Sequence, residues 1–239
     1  MRSPVTRVVL LLILPLILAA TACSNDIDTP ATLTTDMQEQ GEMRVKLPKA
    51  KYDSEVSLEE SLVKRRSVRD YTNEPLTLED VSQLLWAAQG TTSNKGGRTA
   101  PSAGALYPLE VYVVLGNVHN LTAGVYRYYP KSHEIVMIVE GDIRSGLGSA
   151  ALGQTSVKDA AIDLVFTAVY RRTTRKYRDR GIQYVHMEIG HAAQNVCLQA
   201  AAMNLGVVTV GAFYDEEVTR LLNLPKDETP LYIIPVGKR

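Results

Sequence analysis

The chain is poor in the residues that build several familiar sites. Its 239 residues include two cysteines, at 23 and 197, and four histidines, at 119, 133, 186 and 191. None stands at a metal-ligand spacing, and His186 and His191, five apart, do not share a helical face, so no metal site is expected. G-x-G-x-x-G and G-x-x-x-x-G-K-[ST] are absent, which removes support for dinucleotide and P-loop folds. So is the G-x-S-x-G elbow of serine hydrolases. Lys plus Arg number 26 against 26 Asp plus Glu, and without a basic excess nucleic acid is not an expected partner. No repeat recurs at a fixed period.

What is present begins with a leader. Arg2 and Arg7 precede an apolar run from Val8 to Ala20 that is too short for a comfortable transmembrane helix. A charged start, a short apolar core and small residues before a break describe a secretory signal, here residues 1–22. Leu-Ala-Ala-Thr-Ala-Cys ending at Cys23 resembles the lipobox of bacterial lipoproteins, with Cys23 as the lipidated first residue. That implies an extracytoplasmic chain, lipid-anchored to a bacterial membrane. An uncleaved anchor or a plain signal peptide fits the same residues less closely. Cys197 is then the one remaining thiol, among apolar neighbours, and is assigned to packing.

Residues 23–51, rich in Thr, Asp, Gln and Pro, read as a tether, and residues 52–239 as one domain. Ser57-Leu-Glu-Glu60 has capping-box spacing and opens a helix to about Arg65. Thr77 caps a second, with Val81, Leu84, Leu85 and Ala88 on one face and Gly90 at its end. Glu110–Leu115, Val125–Tyr129, Glu134–Val139, Ala160–Tyr170, Val207–Val210 and Leu231–Val236 read as strands, and 142–152 and 215–222 as short helices. Helices and strands alternate without a strict βαβ rhythm, so the class is α+β.

The stretch 176–204 reads as one long helix of about 45 Å. Glu188 is the only charged side chain between Gly181 and Phe213, so this helix lacks a solvated charged face and is expected to be buried. Glu188, His191, Asn195 and Gln199 share a face, and Glu188 with His191 is expected to form a structural pair. The helix's small residues, such as Gly190, Ala193 and Ala200, suit a core helix and also close approach by a second copy of the chain.

Three segments suggest anion and flat-ligand chemistry. Arg65, Arg66 and Arg69 around Ser67 are a dense set of phosphate donors. Pro101-Ser-Ala-Gly104 lies in a small-residue loop before a strand, where backbone N–H groups can approach a ligand closely. Val210-Gly-Ala212 ends a strand in glycine, at the kind of terminus where ligands sit. Each alone also fits a solvated turn or an ordinary loop.

In this order the segments resemble the nitroreductase-like flavoprotein family, and more closely its SagB/ThcOx-type dehydrogenase branch. The resemblance covers Ser57 to Lys238 and is most specific in Arg175-Lys-Tyr-Arg-Asp-Arg-Gly181 running into Glu188-Ile-Gly-His-Ala-Ala-Gln-Asn195. It implies a central mixed or antiparallel sheet flanked by helices, and FMN held at a homodimer interface. Arg65, Arg66, Ser67 and Arg69 match the phosphate and ribityl motif. Pro101, Ser102 and Gly104 match the loop that reaches the flavin from the partner. Val210, Gly211 and Ala212 match the strand end beside the flavin N5, and Lys238 stands where a further basic contact is often found. Lys176 and Tyr177 fall on the Lys-Tyr pair that is catalytic in azoline-oxidising members.

Arginines at 171, 172, 175, 178 and 180 crowd Lys176, and neighbouring positive charge favours a neutral amine able to act as a base. A solvated basic connection fits the same residues. Trp86 and the tyrosines at 126, 128, 129 and 184 are assigned to core or hairpin faces, or to the wall of a flavin pocket. The implied activity is FMN-dependent hydride transfer to or from a small-molecule or peptide substrate. A nitro, quinone or flavin reductase, and a flavin-binding lipoprotein without turnover, are the alternatives.

Overall fold

The structure, a computed structural model, describes residues 43–239. The signal segment, Cys23 and most of the expected tether lie outside the described residues. Among the described residues there are seven strands: β1 (Arg44–Lys46), β2 (Leu109–Leu115), β3 (Gly124–Tyr129), β4 (Glu134–Glu140), β5 (Ile162–Ala168), β6 (Leu205–Val207) and β7 (Thr229–Lys238). They form one sheet in the order β1-β4-β3-β2-β5-β7-β6, with every neighbouring pair antiparallel. The helices are α1 (Leu58–Lys64), α2 (Leu78–Gln89), α3 (Arg144–Ala150), α4 (Thr155–Lys158), α5 (Arg171–Tyr177), α6 (Arg180–Ala202) and α7 (Asp215–Leu221). The α+β class and the antiparallel sheet flanked by helices are as expected.

Both sheet faces are covered, which explains why β2 and β5 read as nearly continuous apolar runs. Val111, Val113 and Leu115 of β2 and Leu164 and Phe166 of β5 meet α2 and α6 through Leu84, Leu85, Ala88, Val185, Ala192, Val196 and Ala200. Tyr112, Val114 and Val165 point the other way, onto Leu147 of α3 and Val218 of α7. The start of α2 is fixed locally. Thr77 accepts from the Asp80 N–H at 3.1 Å while Asp80 accepts from the Thr77 N–H at 3.0 Å.

Three expectations change. Residues 44–51, read as tether, belong to the folded body: Arg44–Lys46 pair with β4, and Leu47 and Ala50 are buried. Three residues are too few to show a period. The single helix over 176–204 is two, broken at Arg178, whose backbone turns to φ 50°, ψ −140°. Gly181 permits the break, since a Cβ there would lie 2.9 Å from the Thr174 Cα, so α5 folds back onto α6. Last, β6 ends at Val207, and Val210 returns to the sheet only through an isolated bridge to Ile233.

Candidate functional site

The basic segment leaves α1 at Arg65, where the backbone becomes extended, and runs beside the edge strand β6. The Val68 N–H donates to the Val207 carbonyl at 2.9 Å and the Thr72 N–H to the Lys238 carbonyl at 2.9 Å. Gly206 and Gly237 face each other across β6 and β7, and together they make a flat floor. A Cβ on Gly237 would lie 2.8 Å from the Tyr71 Cβ and Cγ, and one on Gly206 would lie 2.9 Å from a Val68 methyl. Tyr71 therefore lies on the sheet and donates its hydroxyl to the Val68 carbonyl at 3.1 Å and, more weakly, to that of Pro235 at 3.4 Å. Burial raises its phenol pKa, so it stays a donor.

This anchoring presents Arg66, Ser67 and Arg69 to solvent, with Arg65 half-buried. Neither Arg65 nor Arg69 makes an ion pair among the described residues. Lys238 is committed elsewhere: its ammonium pairs with Asp80 at 3.2 Å, at the start of α2. Beyond the bridge at Val210, Gly211 and Ala212 are exposed. The Gly211 N–H has no partner among the described residues, while the Ala212 carbonyl accepts from Gln154 at 3.3 Å.

The second group gathers on the loop before β2. Gly104, Ala105 and Tyr107 have φ of 63°, 53° and 45°. Left-handed backbone costs a non-glycine residue roughly 1–2 kcal/mol. Several contacts hold it. Ser102 Oγ accepts from the Tyr107 N–H at 2.9 Å, Arg172 Nη1 donates to the Tyr107 carbonyl at 3.0 Å, and the Arg98 guanidinium lies 4.4 Å over the Tyr107 ring. Arg172 is itself paired with Glu110.

The break at Arg178 aims the end of α5 at this loop. A Cβ on Gly104 would lie 2.8 Å from the Tyr177 hydroxyl and 3.0 Å from the Lys176 ammonium, so glycine is needed for space as well as for φ. Tyr177 is braced edge-on by Tyr184, ring centroids 5.1 Å apart.

Glu188 does not pair with His191. It is buried while His191 is exposed, and the groups that bear on its carboxyl are Ser102 and Arg98. Desolvation pushes its pKa up to about 7, against the opposing pull of Ser102 and Arg98.

The expected site residues thus fall into two groups. Ser102 and Gly104 meet Lys176 and Tyr177, with Pro101 exposed beside them; Arg65, Arg66, Ser67 and Arg69 line the sheet edge that continues towards Val210, Gly211 and Ala212. Sequence reasoning missed Tyr71, Arg98 and Tyr107, and it set Arg172 against Lys176 where the structure bonds it to the Tyr107 carbonyl and Glu110. Gly206 and Gly237, each a glycine within an apolar strand, were the available signal for a close approach. Among the described residues no cluster of His, Cys, Asp or Glu could hold a metal.

The Nitroreductase family profile matches residues 62–238. The chain belongs to the nitroreductase family. It is 48% identical over 197 residues to a nitroreductase-named protein of Methanocaldococcus jannaschii, covering 82% of this chain and 97% of that one. A nitroreductase-named structure from Anabaena variabilis superposes with a TM-score of 0.73 at 32% identity, covering 82% of this chain. Only 41% of that longer chain is matched. The Escherichia coli microcin synthetase McbBCD complex, with truncated pro-MccB17 bound, contains a chain similar at 26% identity and a TM-score of 0.66. That match covers 73% of this chain and 69% of the other.

Proposed function

We propose that this nitroreductase-family chain is an FMN-dependent oxidoreductase of the SagB-type branch, working as a homodimer. The observation that carries this reading is the division of the site residues into two groups, each built and neither enclosing a ligand alone. Arg65, Arg66, Ser67 and Arg69 offer unpaired cations and a hydroxyl suited to a phosphate, and the exposed Gly211 N–H is a free donor at a strand end. The residues present therefore fit FMN. A second copy would bring the loop of Pro101, Ser102 and Gly104, with Lys176 and Tyr177, to close the site.

Exposed apolar side chains favour the dimer: Leu58, Leu62 and Val63 on α1, and Ile182 and Met187 on α6. Bound FMN would supply hydride chemistry at N5. Lys176 would hold or move a proton beside the substrate, and Tyr177 would orient it. Lys238, tied to Asp80, would contribute positive potential rather than a direct contact.

The likeness to a chain of the microcin synthetase complex supports the branch and a peptide among the substrate classes. A signal of residues 1–22 and a lipid on Cys23 would place the chain outside the cytoplasm, away from ready NAD(P)H, so a nitro, quinone or flavin reductase fed by another donor is the second reading. The decisive experiment is a visible spectrum of the purified protein after adding FMN and desalting, with its mass in solution. Stoichiometric flavin on a dimer supports the proposal. A folded, colourless protein refutes it and leaves an interaction module.

A further inference from the structure

The helix α5 carries more positive charge than its surroundings balance. Its seven residues, Arg171-Arg-Thr-Thr-Arg-Lys-Tyr177, include no acid. Arg171 with Arg175, and Arg172 with Lys176, stand four apart, where like charges on a helix face each other and repel. Arg171, Arg172 and Arg175 line a cavity of about 440 Å³, together with Arg127 of β3 and with Asp227 and Glu228 just before β7. That volume suits a small ligand.

The buried side of the cavity is fixed. Glu228, its side chain 3% exposed, accepts from the Tyr112 and Thr167 hydroxyls at 2.8 Å each and pairs with Arg127 at 3.2 Å. Arg127 also reaches Glu110 at 3.2 Å, and Glu110 holds Arg172 at 2.5 Å, which in turn bonds the Tyr107 carbonyl. These groups are spent on one another. The exposed side is different. Arg171 and Asp227 pair at 2.7 Å with side chains 62% and 43% exposed, and such a pair contributes little and exchanges readily. Arg175 has neither an ion pair nor a side-chain hydrogen bond among the described residues.

We propose that this cavity is a binding site for a small oxyanion, a di- or tricarboxylate or a phosphate, held by Arg171 and Arg175 against the fixed Arg127 and Arg172. Guanidinium forks bind carboxylate and phosphate oxygens in pairs, and two of them one helical turn apart can share one multivalent anion. Asp227 marks the chemistry, because its carboxylate already sits on Arg171. An external anion that reaches Arg175 as well makes a contact that Asp227 does not, so it displaces Asp227. This site belongs to α5, apart from the phosphate donors Arg65, Arg66 and Arg69 that follow α1, and it does not rest on the oxidoreductase reading.

Isothermal titration of the full chain with citrate and, separately, with pyrophosphate tests this, with and without added FMN. One saturable site per chain is expected, with a dissociation constant below roughly 1 mM at low salt and weaker binding as salt is added. Tighter binding of citrate assigns the site to carboxylates, and tighter binding of pyrophosphate to phosphates. Arg171→Gln and Arg175→Gln should each weaken binding about tenfold, as loss of a charge-assisted bond does. Arg69→Gln should leave it unchanged. Asp227→Asn removes the internal competitor and should tighten binding about two- to fivefold, a gain that a damaged fold would not produce. No saturable binding of either anion, wild-type affinity in Arg171→Gln and Arg175→Gln, or weaker binding in Asp227→Asn overturns the proposal. Flavin retention on the same samples keeps the two ideas apart: an anion bound by a protein that takes up no FMN defeats the oxidoreductase reading alone.

Discussion

Replacing Gly237 by alanine probes whether the sheet floor really sets the basic segment. The new methyl would begin 2.8 Å from the Tyr71 Cβ and Cγ. Ordinary carbon contacts are about 3.5–4.0 Å, so the ring must lift by roughly 0.7–1.2 Å. It cannot do so freely: its hydroxyl is bonded to the Val68 and Pro235 carbonyls, and Val68 is bonded to Val207. Overpacking of this kind costs about 1–3 kcal/mol, and a lost hydrogen bond about 0.5–1.5 kcal/mol. The expected loss is therefore about 2–3 kcal/mol, a fall in Tm of roughly 4–12 °C for a domain of this size.

Because Tyr71 holds Arg69 and Ser67 in place, FMN affinity should fall at least about tenfold as well. Thermal melts and flavin-fluorescence titrations measure the two effects. Tyr71→Ala removes the obstacle, so Gly237→Ala should cost much less in that background, a coupling of about 1–2 kcal/mol. Gly211→Ala is the stability control, since its Cβ would lie 3.5 Å from Tyr232, an ordinary contact. Additive effects of Gly237→Ala and Tyr71→Ala, or an unchanged melt for Gly237→Ala, would refute the argument.

Thr77→Ala removes the side-chain cap of α2 and should cost about 1 kcal/mol in urea unfolding. Asp163, wholly buried in β5 with neither oxygen partnered, has a carboxyl pKa driven well above the usual range by desolvation. Its folded value exceeds its unfolded one, so its contribution to stability is full below about pH 4 and is lost as pH rises. Asp163→Asn should flatten that decline in melts taken across pH. Gly104→Ala should keep the fold but push Lys176 and Tyr177 aside, lowering turnover more than flavin binding. Lys238→Ala should lose its pairing with Asp80 and weaken FMN less than tenfold, against a larger loss for Arg69→Ala.

Most elements were legible because their signals are local. β2 and β5 are β-branched runs and Thr77 and Asp80 cap α2, whereas the near absence of charge over 181–213 implies a buried α6, which in fact leaves Ile182, Met187 and His191 exposed. The candidate site residues could be named because the family motifs are contiguous. What local pattern could not show was the partner each group acquires across the fold. β1 is too short to carry a period and exists only because β4 offers an edge. The break at Arg178 depends on α5 lying against Gly181, and it alone brings Lys176 and Tyr177 to Gly104. Glu188 and His191 are one helical turn apart, so sequence made them a pair. The tertiary structure instead buries the carboxyl beside Ser102 and Arg98 and leaves His191 exposed, because a side chain's neighbours are set by what packs on its helix face and not by spacing along the helix.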